Sequence, residues 1–338
     1  MRILVHSRVY PSVGGVETVT QLLAHEWNKA GEEVIVATDV SHTPDHPKIF
    51  PFPVYYRPSP LKWISLLRWC DVYLQFNVSL KAMWPLLLIR RPFIFSHHGY
   101  YWLSNHGKTD WRSRIKLRLA SRYFNIFVSE AVAKGMDGKG VIIPNPFNDV
   151  LFYSENDTPR DTELAFVGRL VSDKGVGCLL QALAALKKKT ITPRLSIIGD
   201  GPERARLEEM RLELGLRDHV RFWGAQSQSE ISAILRRHLI LVVPTMIAEG
   251  FGVVALEGLA SGCVIIGSDQ GGLPEAIGPC GLTFPNGDVN ALAEKIEMAL
   301  ADRNTASQLL DGVEPHLAKH RPAFVAGRYL EVMRSALS

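Results

Sequence analysis

Cysteine is scarce in this chain, with four among 338 residues and no C-x-x-C pair. Cys70, Cys178, Cys263 and Cys280 are far apart, and each stands in apolar or glycine-rich surroundings. The spacing offers neither a disulfide framework nor a cysteine-based zinc site. It indicates reduced thiols, as in an intracellular protein.

Long hydrophobic runs are also missing. The longest strongly apolar run, MWPLLLI at 83–89, is far shorter than the roughly 20 residues needed to cross a bilayer. The amino-terminal MRILVHSRVYP has too short an apolar run for a signal peptide and indicates a first strand instead. We therefore expect a cytoplasmic protein, either soluble or held at the inner face of the membrane.

Several catalytic and nucleotide-binding motifs are absent. No G-x-G-x-x-G follows the first strand, and no G-x-x-x-x-G-K-[ST] or G-x-S-x-G occurs anywhere. The dehydrogenase, P-loop and serine-hydrolase interpretations therefore lose their main support. No D-x-D pair is present either. We expect no metal at the site, and phosphates neutralised by protein cations and amides.

What the chain does contain is a regular alternation of short apolar runs with helical periodicity, which is typical of parallel sheets covered on both faces. PNPFNDVLFYSENDTPRD at 144–161 interrupts the alternation and reads as a linker. We expect an α/β fold of two doubly wound Rossmann-like domains, 1–148 and 149–321, facing across a cleft. The strands are expected at 2–7, 33–38, 72–76, 92–96, 125–129, 141–145, 163–168, 194–199, 220–224, 239–245 and 263–268.

The most informative segment follows the apolar run LILVVPT at 239–245. Glu249 and Glu257 lie eight positions apart around a Gly-Phe-Gly turn, and the turn is predicted to open a helix whose free N–H groups begin at Phe251. A helix start at the carboxyl end of a strand suits a phosphate. Carboxylates on both sides of an anion site indicate a ligand with hydroxyls flanking its phosphates, such as a sugar nucleotide.

Two cations lie in the loop GRLVSDKG at 168–175, which follows another predicted strand. Arg169 and Lys174 flank this loop, so both can reach over the edge of the sheet. A guanidinium fork and an ammonium suit a diphosphate that departs with growing negative charge. The alternative is an exposed loop with two solvated cations.

Three further strand ends carry weaker signals. SVGGVE at 12–17 is a Gly-Gly turn leading into a helix, which places Gly15 where a ligand could approach, although any tight turn of this class looks the same. His97 and His98 end a strand and could donate to a sugar hydroxyl or be structural. Asp200 in GDGPE is more simply explained as a helix cap than as a catalytic group.

Taken together, these segments resemble the retaining glycosyltransferases of family 4, whose two-domain architecture is called GT-B. The resemblance is almost continuous in the carboxyl-terminal half and thinner in the amino-terminal half. Pro244-Thr245 replaces the usual Pro-Ser and keeps the hydroxyl. The segments occur in the family's order: GGVE (14–17), the histidine before Gly99, VGRLVSDKG (167–175), GDGPE (199–203), EGFGVVALEGLASG (249–262) and GGLPE (271–275).

The resemblance implies a role for each residue of the turn between the glutamates. Glu257 is expected to bind the ribose hydroxyls of the nucleotide. Glu249 and the amides of Gly250, Phe251 and Gly252 are expected to hold the transferred sugar and the diphosphate. Two carboxylates so placed would lie too far apart to act as the acid and nucleophile of a retaining glycosidase, which need roughly 5–5.5 Å.

The resemblance also implies roles outside this turn. Arg169 and Lys174 are expected to stabilise the leaving nucleotide diphosphate, with an amide from Gly15. His98 is expected to contact the donor sugar, because the family's histidine precedes glycine, and His97 fits less well. The helix at about 322–338, whose apolar residues recur at helical spacing, is expected to cross back onto the amino-terminal domain.

The function implied is a retaining, metal-independent transfer of a sugar from a UDP-, GDP- or ADP-sugar to a hydroxyl of a glycan, lipid-linked saccharide or small molecule. The class is that of hexosyltransferases, with no cofactor beyond the donor substrate. Two alternatives stay open: a GT-B epimerase or hydrolase of sugar nucleotides, and a catalytically silent sugar-nucleotide-binding subunit. The motifs fix neither donor nor acceptor.

The distribution of charge bears on the acceptor. Residues 1–150 hold 18 Lys and Arg against 11 Asp and Glu, so this half carries the excess of a chain whose net charge is +4. LKWISLLRW (61–69) and WRSRIKLRLASR (111–122) combine cations with Trp, Leu and Ile at helical spacing. Such helices can lie on an anionic membrane or can be ordinary domain helices. Nucleic acid is not expected, because the charge is modest and no binding motif occurs.

Overall fold

The computed structural model describes residues 1–7, 14–41, 50–100, 111–134, 136, 139–155, 158–301 and 308–337, apart from the side chain of Arg112. The chain divides into two compact units. One consists of Met1–Phe147 together with His320–Ser338, and the other of Asn148–Lys319. We call these the amino-terminal unit and the carboxyl-terminal unit.

The amino-terminal unit is built on a seven-stranded parallel sheet in the order β3-β2-β1-β4-β5-β6-β7. β1, β4 and β5 are buried along almost their whole length, which explains why apolar and polar residues do not alternate along them. The strands are β1 Arg2–Ser7, β2 Glu33–Thr38, β3 Val54–Tyr56, β4 Val72–Phe76, β5 Phe93–His97, β6 Phe124–Phe127 and β7 Gly140–Ile142.

Helices cover both faces of this sheet. The terminal helix belongs to this unit although it follows the other unit in sequence. The helices are α1 Gly15–Lys29, α2 Pro60–Trp69, α3 Leu80–Met83, a 3₁₀ turn at Trp84–Leu87, α4 Trp111–Ala120, α5 Glu130–Ala133 and the terminal helix Pro322–Ser335.

The terminal helix packs on α1. The indole of Trp27, which is fully buried, donates its Nε1–H to the carbonyl of Ala326 at 3.1 Å, and its ring lies 5.8 Å from that of Tyr329. Val325, Tyr329 and Met333 are buried along one face, whereas Phe324 is half exposed. The apolar periodicity of the helix therefore corresponds to a real buried stripe, and the helix does cross back onto the amino-terminal unit.

The carboxyl-terminal unit contains a six-stranded parallel sheet in the order β10-β9-β8-β11-β12-β13. Leu, Ile and Val from these strands pack against α6 and α11 to form one core. The strands are β8 Thr162–Val167, β9 Leu195–Ile198, β10 Val220–Gly224, β11 His238–Val243, β12 Val264–Ser268 and β13 Gly281–Phe284. The helices are α6 Val176–Lys188, α7 Arg204–Glu213, α8 Gln228–Leu235, α9 Val253–Ala260, α10 Leu273–Ile277, α11 Val289–Ala301 and a short helix Val313–Ala318, with a 3₁₀ turn at Ser172–Lys174.

Both sheets reverse their strand order once, between β1 and β4 and between β8 and β11. At such a switch point the loops leave neighbouring strands in opposite directions, and open α/β sheets bind their ligands in the crevice this creates. The doubly wound α/β architecture expected from the sequence is therefore confirmed for each unit. The candidate residues from Arg169 to Glu257 lie around the switch point of the carboxyl-terminal unit, whereas Gly15 and His98 belong to the amino-terminal unit.

Two strands are absent from the sequence prediction. β3 is half-buried throughout, and β13 is buried only at Phe284, so neither forms a continuous apolar run. The other strands lie within a few residues of the predicted bounds. Among the helices of the described ranges, none is both long and apolar enough to cross a membrane.

Candidate active site

The loops that follow β8 and β11 are joined by an ion pair between Lys174 and Glu249. Lys174 ends the 3₁₀ turn Ser172–Lys174, and Glu249 lies in the loop before α9. The Lys174 ammonium donates to Glu249 Oε1. Both side chains are about one-fifth to one-third exposed, so the pair lies at the surface of the switch point, within reach of a ligand.

Backbone contacts hold the same two loops together. The Thr245 hydroxyl and the Met246 N–H both donate to the carbonyl of Asp173, at 3.0 and 2.8 Å. The Thr245 hydroxyl thus connects the β11 loop to the β8 loop by a hydrogen bond. Gly175 has φ +70°, and a Cβ there would lie 1.8 Å from the carbonyl oxygen of Pro244. The loops approach so closely that only glycine fits at this position.

A third loop, after β12, contacts Glu249 through its backbone. Gly272 N–H donates to the Glu249 carbonyl at 2.7 Å. Gly271 has φ +74°, and a Cβ on it would lie 2.3 Å from the same carbonyl oxygen. The Gly-Gly of GGLPE therefore lets the β12 loop lie directly against Glu249 and fixes its backbone.

A fourth loop, after β9, packs against the β8 loop. Gly199 has φ +133°, with a would-be Cβ 1.9 Å from the Gly168 carbonyl oxygen, and Leu170 N–H donates to the Asp200 carbonyl at 3.0 Å. The expectation that Asp200 caps the next helix is wrong. α7 begins at Arg204, and the Asp200 carboxylate instead accepts from Gly201 N–H at 2.7 Å.

The start of α9 also differs from the prediction. The helix begins at Val253, two residues after Phe251, because Gly252 adopts a left-handed conformation with φ +99°. Phe251 is 3% exposed, so its ring is buried. Gly250 and Phe251 precede the helix, and the free amides of its first turn begin at Val253. The expected amide contacts of Gly250, Phe251 and Gly252 with a ligand stay predictions.

Arg169 is the other cation of the β8 loop. Its side chain is exposed. Within the described ranges its guanidinium forms neither a hydrogen bond nor an ion pair. An unpaired guanidinium at a switch point can bind an anion without first losing a protein partner, whereas Lys174 has to share its charge with Glu249.

Glu257 lies on α9 and is partly buried. Burial raises the pKa of its carboxyl group to about 7. No protein donor among the described residues compensates for this burial, since only the Glu257 carbonyl is engaged, by Ser261. The carboxylate is therefore an acceptor whose charged form lacks stabilisation, and a ligand carrying hydroxyl donors would supply it.

The two histidines lie in the amino-terminal unit, at the carboxyl end of β5. His97 is fully buried and its Nε2 lies 2.8 Å from Asn125 Oδ1, which gives it a structural role. His98 is also buried, and its N–H donates to Asn77 Oδ1 at 2.9 Å. The following residues Tyr101 and Trp102 lie outside the described residues, and a contact of His98 with a donor sugar stays a prediction.

Gly15 is the first residue of α1, directly after the Gly14 N-cap. A Cβ on Gly15 would meet no described atom within 4 Å, whereas one on Gly14 would lie 2.3 Å from a carboxylate oxygen of Glu17. The Glu17 side chain could move aside for a Cβ at 14, so contacts among the described residues require glycine at neither position. Ser12 and Val13 of the same turn lie outside the described residues, and an amide contact from Gly15 stays a prediction.

The structure therefore brings Lys174 and Glu249 into contact and places Arg169 on the same loop as Lys174. Sequence reasoning missed Asp173, whose carbonyl joins the loops through backbone chemistry that no side chain reveals. No group of three His, Cys, Asp or Glu side chains in the described part of the chain is placed to hold a metal ion.

Comparison with known proteins places this geometry in context. A family model described as glycosyl transferases group 1 matches residues 152–311. An uncharacterized glycosyltransferase of Methanocaldococcus jannaschii is 31% identical over 211 residues, which cover 61% of this chain. That match spans only 57% of the length of the relative. These matches confirm the expected resemblance to group 1 glycosyl transferases, over residues 152–311 for the family model and over little more than half the length of this relative.

Solved structures resemble the whole chain. A sucrose-phosphate synthase from Thermosynechococcus elongatus is 24% identical and has a TM-score of 0.84. The match covers 99% of this chain and 98% of that protein. The HepE protein of Anabaena, in complex with UDP and glucose, is 18% identical and has a TM-score of 0.80. That match covers 98% of this chain and 99% of HepE. The expected fold class, GT-B, is confirmed by these likenesses.

The close approach of the β8 and β11 loops yields a first prediction. Gly175→Ala should lower the free energy of unfolding by on the order of 2 kcal/mol or more, because the new Cβ meets backbone in a left-handed conformation. Gly177→Ala is the matched control. It lies two residues further, inside α6, and its Cβ would meet only Met210 Sδ at 3.8 Å, so it should be neutral or gain up to about 1 kcal/mol. Urea titrations would contradict the model of joined loops if both variants behaved alike.

The raised pKa of Glu257 yields a second prediction. Because the folded state holds this proton more tightly than the unfolded chain, Glu257 costs stability as the pH rises from about 4.5 to about 7. Glu257→Gln should therefore match the natural protein at pH 4.5 and exceed its free energy of unfolding at pH 8, by at most about 3 kcal/mol. Glu249→Gln, which breaks the pair with Lys174, should show no such gain. Equal pH profiles for Glu257→Gln and the natural protein would contradict the prediction.

Proposed function

We propose, because residues 152–311 match the family of group 1 glycosyl transferases, that this protein transfers a sugar from a nucleotide-diphosphate sugar to an acceptor hydroxyl, with retention at the anomeric carbon and without a metal. The observation that carries the proposal is the arrangement at the β8–β11 switch point, where Lys174 pairs with Glu249 beside the unpaired Arg169. This arrangement offers two cations for a diphosphate and a carboxylate for sugar hydroxyls.

The nucleoside end of the donor would be held by Glu257. Its carboxylate is partly buried without a protein donor among the described residues, and the two hydroxyls of a ribose are the donors that the charged form lacks. Hydrogen bonds from the ribose stabilise the ionised carboxylate, so nucleotide binding should displace a proton near neutral pH. This chemistry supports a ribose contact rather than a phosphate contact, since a phosphate would repel the charge.

The diphosphate would lie against the β8 loop. Arg169 has no competing partner in the described structure and can form two parallel hydrogen bonds with a phosphate. Lys174 can donate to a second phosphate oxygen while Glu249 keeps hold of it, because an ammonium has three donors. The amides of Gly250, Phe251 and Gly252 would add further donors in the way the family resemblance implies.

The chemical step would depend on charge rather than on a protein base. As the bond from the anomeric carbon to the phosphate oxygen breaks, negative charge grows on the diphosphate, and Arg169 and Lys174 stabilise it. The departing phosphate oxygen takes the proton of the acceptor hydroxyl, which adds to the face that the diphosphate leaves. Glu249 would orient the transferred sugar. Gly15 and His98 keep the roles implied by the resemblance, an amide for the diphosphate and a contact with the donor sugar.

A donor screen tests the proposal. Thermal unfolding would be followed with UDP, GDP, ADP and their sugars, starting with UDP because the structurally similar Anabaena protein is known with UDP and glucose. The matching nucleotide at about 100 times its Kd should stabilise the protein by about 2.7 kcal/mol. Arg169→Ala should weaken that binding by about ten-fold or more, since a charge-assisted hydrogen bond is lost. Arg217→Ala, an exposed arginine elsewhere in the same unit, is the control.

Product analysis with the matching nucleotide sugar completes this test. A new glycosidic bond with the anomeric configuration of the donor supports a retaining transferase. Release of free sugar or of an epimer even when acceptors are supplied would identify the hydrolase or epimerase alternative. Tight binding of the donor without turnover, whichever acceptor is supplied, would identify the protein as a catalytically silent binding subunit. Inversion at the anomeric carbon would contradict retention alone.

We further propose that the amino-terminal unit contacts an anionic membrane through α4, the acceptor then being a glycan or a lipid-linked saccharide. Trp111 is 66% exposed and Ile115 is 41% exposed, and Arg114 and Arg118 are exposed on the same helical face, at the i, i+3, i+4 and i+7 positions. A tryptophan and an isoleucine beside arginines suit the headgroup region. α2 is unsuited, because Trp63, Leu66 and Leu67 are buried in the core.

Vesicle sedimentation tests this contact. The protein should pellet with vesicles containing phosphatidylserine at low salt and be released at high salt, because the attraction is electrostatic. Arg114→Glu with Arg118→Glu should abolish pelleting. Lys188→Glu with Arg217→Glu, the same charge change on exposed positions of the other unit, should leave it unchanged. Equal loss in both pairs would show that net charge alone is responsible and would contradict a role for α4.

A further inference from the structure

A relay of buried side chains connects the terminal helix to His98. The Tyr329 hydroxyl lies 2.6 Å from Ser96 Oγ, and Ser96 Oγ lies 2.9 Å from His98 Nε2. Ser96 is fully buried, Tyr329 is 1% exposed and His98 is 9% exposed. Two residues at the end of β5 and a third that lies 233 positions after Ser96 thus form one hydrogen-bonded chain within the amino-terminal unit.

The direction of these hydrogen bonds follows from the Tyr329 hydroxyl. Among the described residues, Ser96 Oγ is its only hydrogen-bond partner. If Tyr329 accepted from Ser96, its own proton would be buried without an acceptor, at a substantial cost. Tyr329 therefore donates to Ser96. The Ser96 proton is then free to be donated onward to His98 Nε2, and both hydroxyls are satisfied.

This direction fixes where the His98 proton is. Burial, reinforced by the nearby His97 and partly opposed by Asn145, lowers the pKa of His98 to about 3, so the ring is neutral at ordinary pH. A neutral imidazole carries one proton, and the nitrogen that accepts a hydrogen bond cannot hold it. Since Nε2 accepts from Ser96, the proton lies on Nδ1.

A second observation leads to the same assignment. His98 Nδ1 and Asn145 Oδ1 are both buried, and neither completes a hydrogen bond with a described residue. A proton on Nδ1 gives this buried pair of atoms one donor and one acceptor, whereas a proton on Nε2 would leave both of them as acceptors without a donor.

The position of the ring is set separately from its protonation. The imidazole packs against the Phe76 ring with centroids 4.8 Å apart, and the His98 backbone is held by Asn77. Asn77 itself has φ +57°, an uncommon conformation that asparagine tolerates better than most residues. Packing thus orients the ring, while the hydroxyl relay selects which nitrogen is the donor.

We propose that Tyr329 is a positioning residue that acts through Ser96 to hold His98 as the neutral Nδ1–H tautomer, so that the terminal helix determines which His98 nitrogen can donate. The relevance of this tautomer to catalysis rests on the proposed function, in which His98 contacts the donor sugar. The tautomer itself follows from geometry that does not depend on any reaction.

Nitrogen NMR of the full-length protein, labelled with ¹⁵N in its histidine rings, tests the tautomer directly. His98→Gln identifies the His98 signals by their loss. In the natural protein, Nδ1 should show the shift of a protonated ring nitrogen and Nε2 that of an unprotonated one, unchanged between pH 6 and 8. A protonated Nε2, or a ring that titrates in this range, would overturn the proposal whether or not the protein transfers sugar.

Tyr329→Phe separates positioning from packing. It keeps the ring beside Trp27 and removes only the hydroxyl, so the Nε2–H tautomer of His98 should become populated. The control is Tyr73→Phe, which removes another fully buried hydroxyl of the same unit, one that donates to the Ala82 carbonyl at 3.0 Å. It should cost similar stability and leave the His98 signals unchanged.

Kinetics provide the second measurement once a donor is known. Tyr329→Phe should lower kcat by about ten-fold with a smaller change in the KM for the donor, because a misplaced contact acts mainly in the transition state. Tyr73→Phe should retain nearly full kcat. Equal losses in both variants would overturn the positioning role. If Tyr329→Phe does not fold, the His98 tautomer measured in the natural protein still decides the proposal. If no donor binds but NMR shows the Nδ1–H tautomer, only the proposed function is refuted.

Discussion

The contact on which the candidate site depends is the approach of the β8 loop to the β11 loop at the switch point of the carboxyl-terminal unit. A Cβ on Gly175 would lie 1.8 Å from the Pro244 carbonyl oxygen, and the Asp173 carbonyl accepts from both Thr245 and Met246. Lys174 lies between Asp173 and Gly175, so these backbone contacts place it close enough to Glu249 to form the ion pair. Backbone contacts between the two loops therefore determine the positions of the charged side chains of the site.

The glycines of the recognisable segments have a common physical explanation. Gly175, Gly199 and Gly271 all have positive φ, and each would place a Cβ within 2.3 Å of a backbone carbonyl oxygen in a neighbouring loop. Loops from four strands can therefore lie against one another at a single edge of the sheet. Such segments can be recognised in the sequence because each one contains the glycine itself. The carbonyl oxygen that makes glycine necessary lies in a different loop.

Other features could not be predicted from sequence because they depend on long-range packing. The strand alternation revealed both sheets, but β3 and β13 are too exposed to form apolar runs. Glu249 and Lys174 were both identified as candidates, yet nothing in their spacing showed that they pair. The Asp200 carboxylate was expected at a helix cap, because the sequence does not show that α7 starts only at Arg204. The partnership of Ser96 with Tyr329 spans 233 positions and has no sequence signal.

The amino-terminal unit is discontinuous, and this has a consequence for its synthesis. Residues 1–147 leave the ribosome first, but the helix that covers Trp27 and completes the contact with Ser96 lies at 322–335. Domains generally fold as units, amino-terminal first, as the chain is made. Here the first unit cannot be completed until the second has been translated, so α1 stays uncovered during that interval. A chain that stopped after Lys319 would therefore contain the whole second unit but lack the helix that covers α1 of the first.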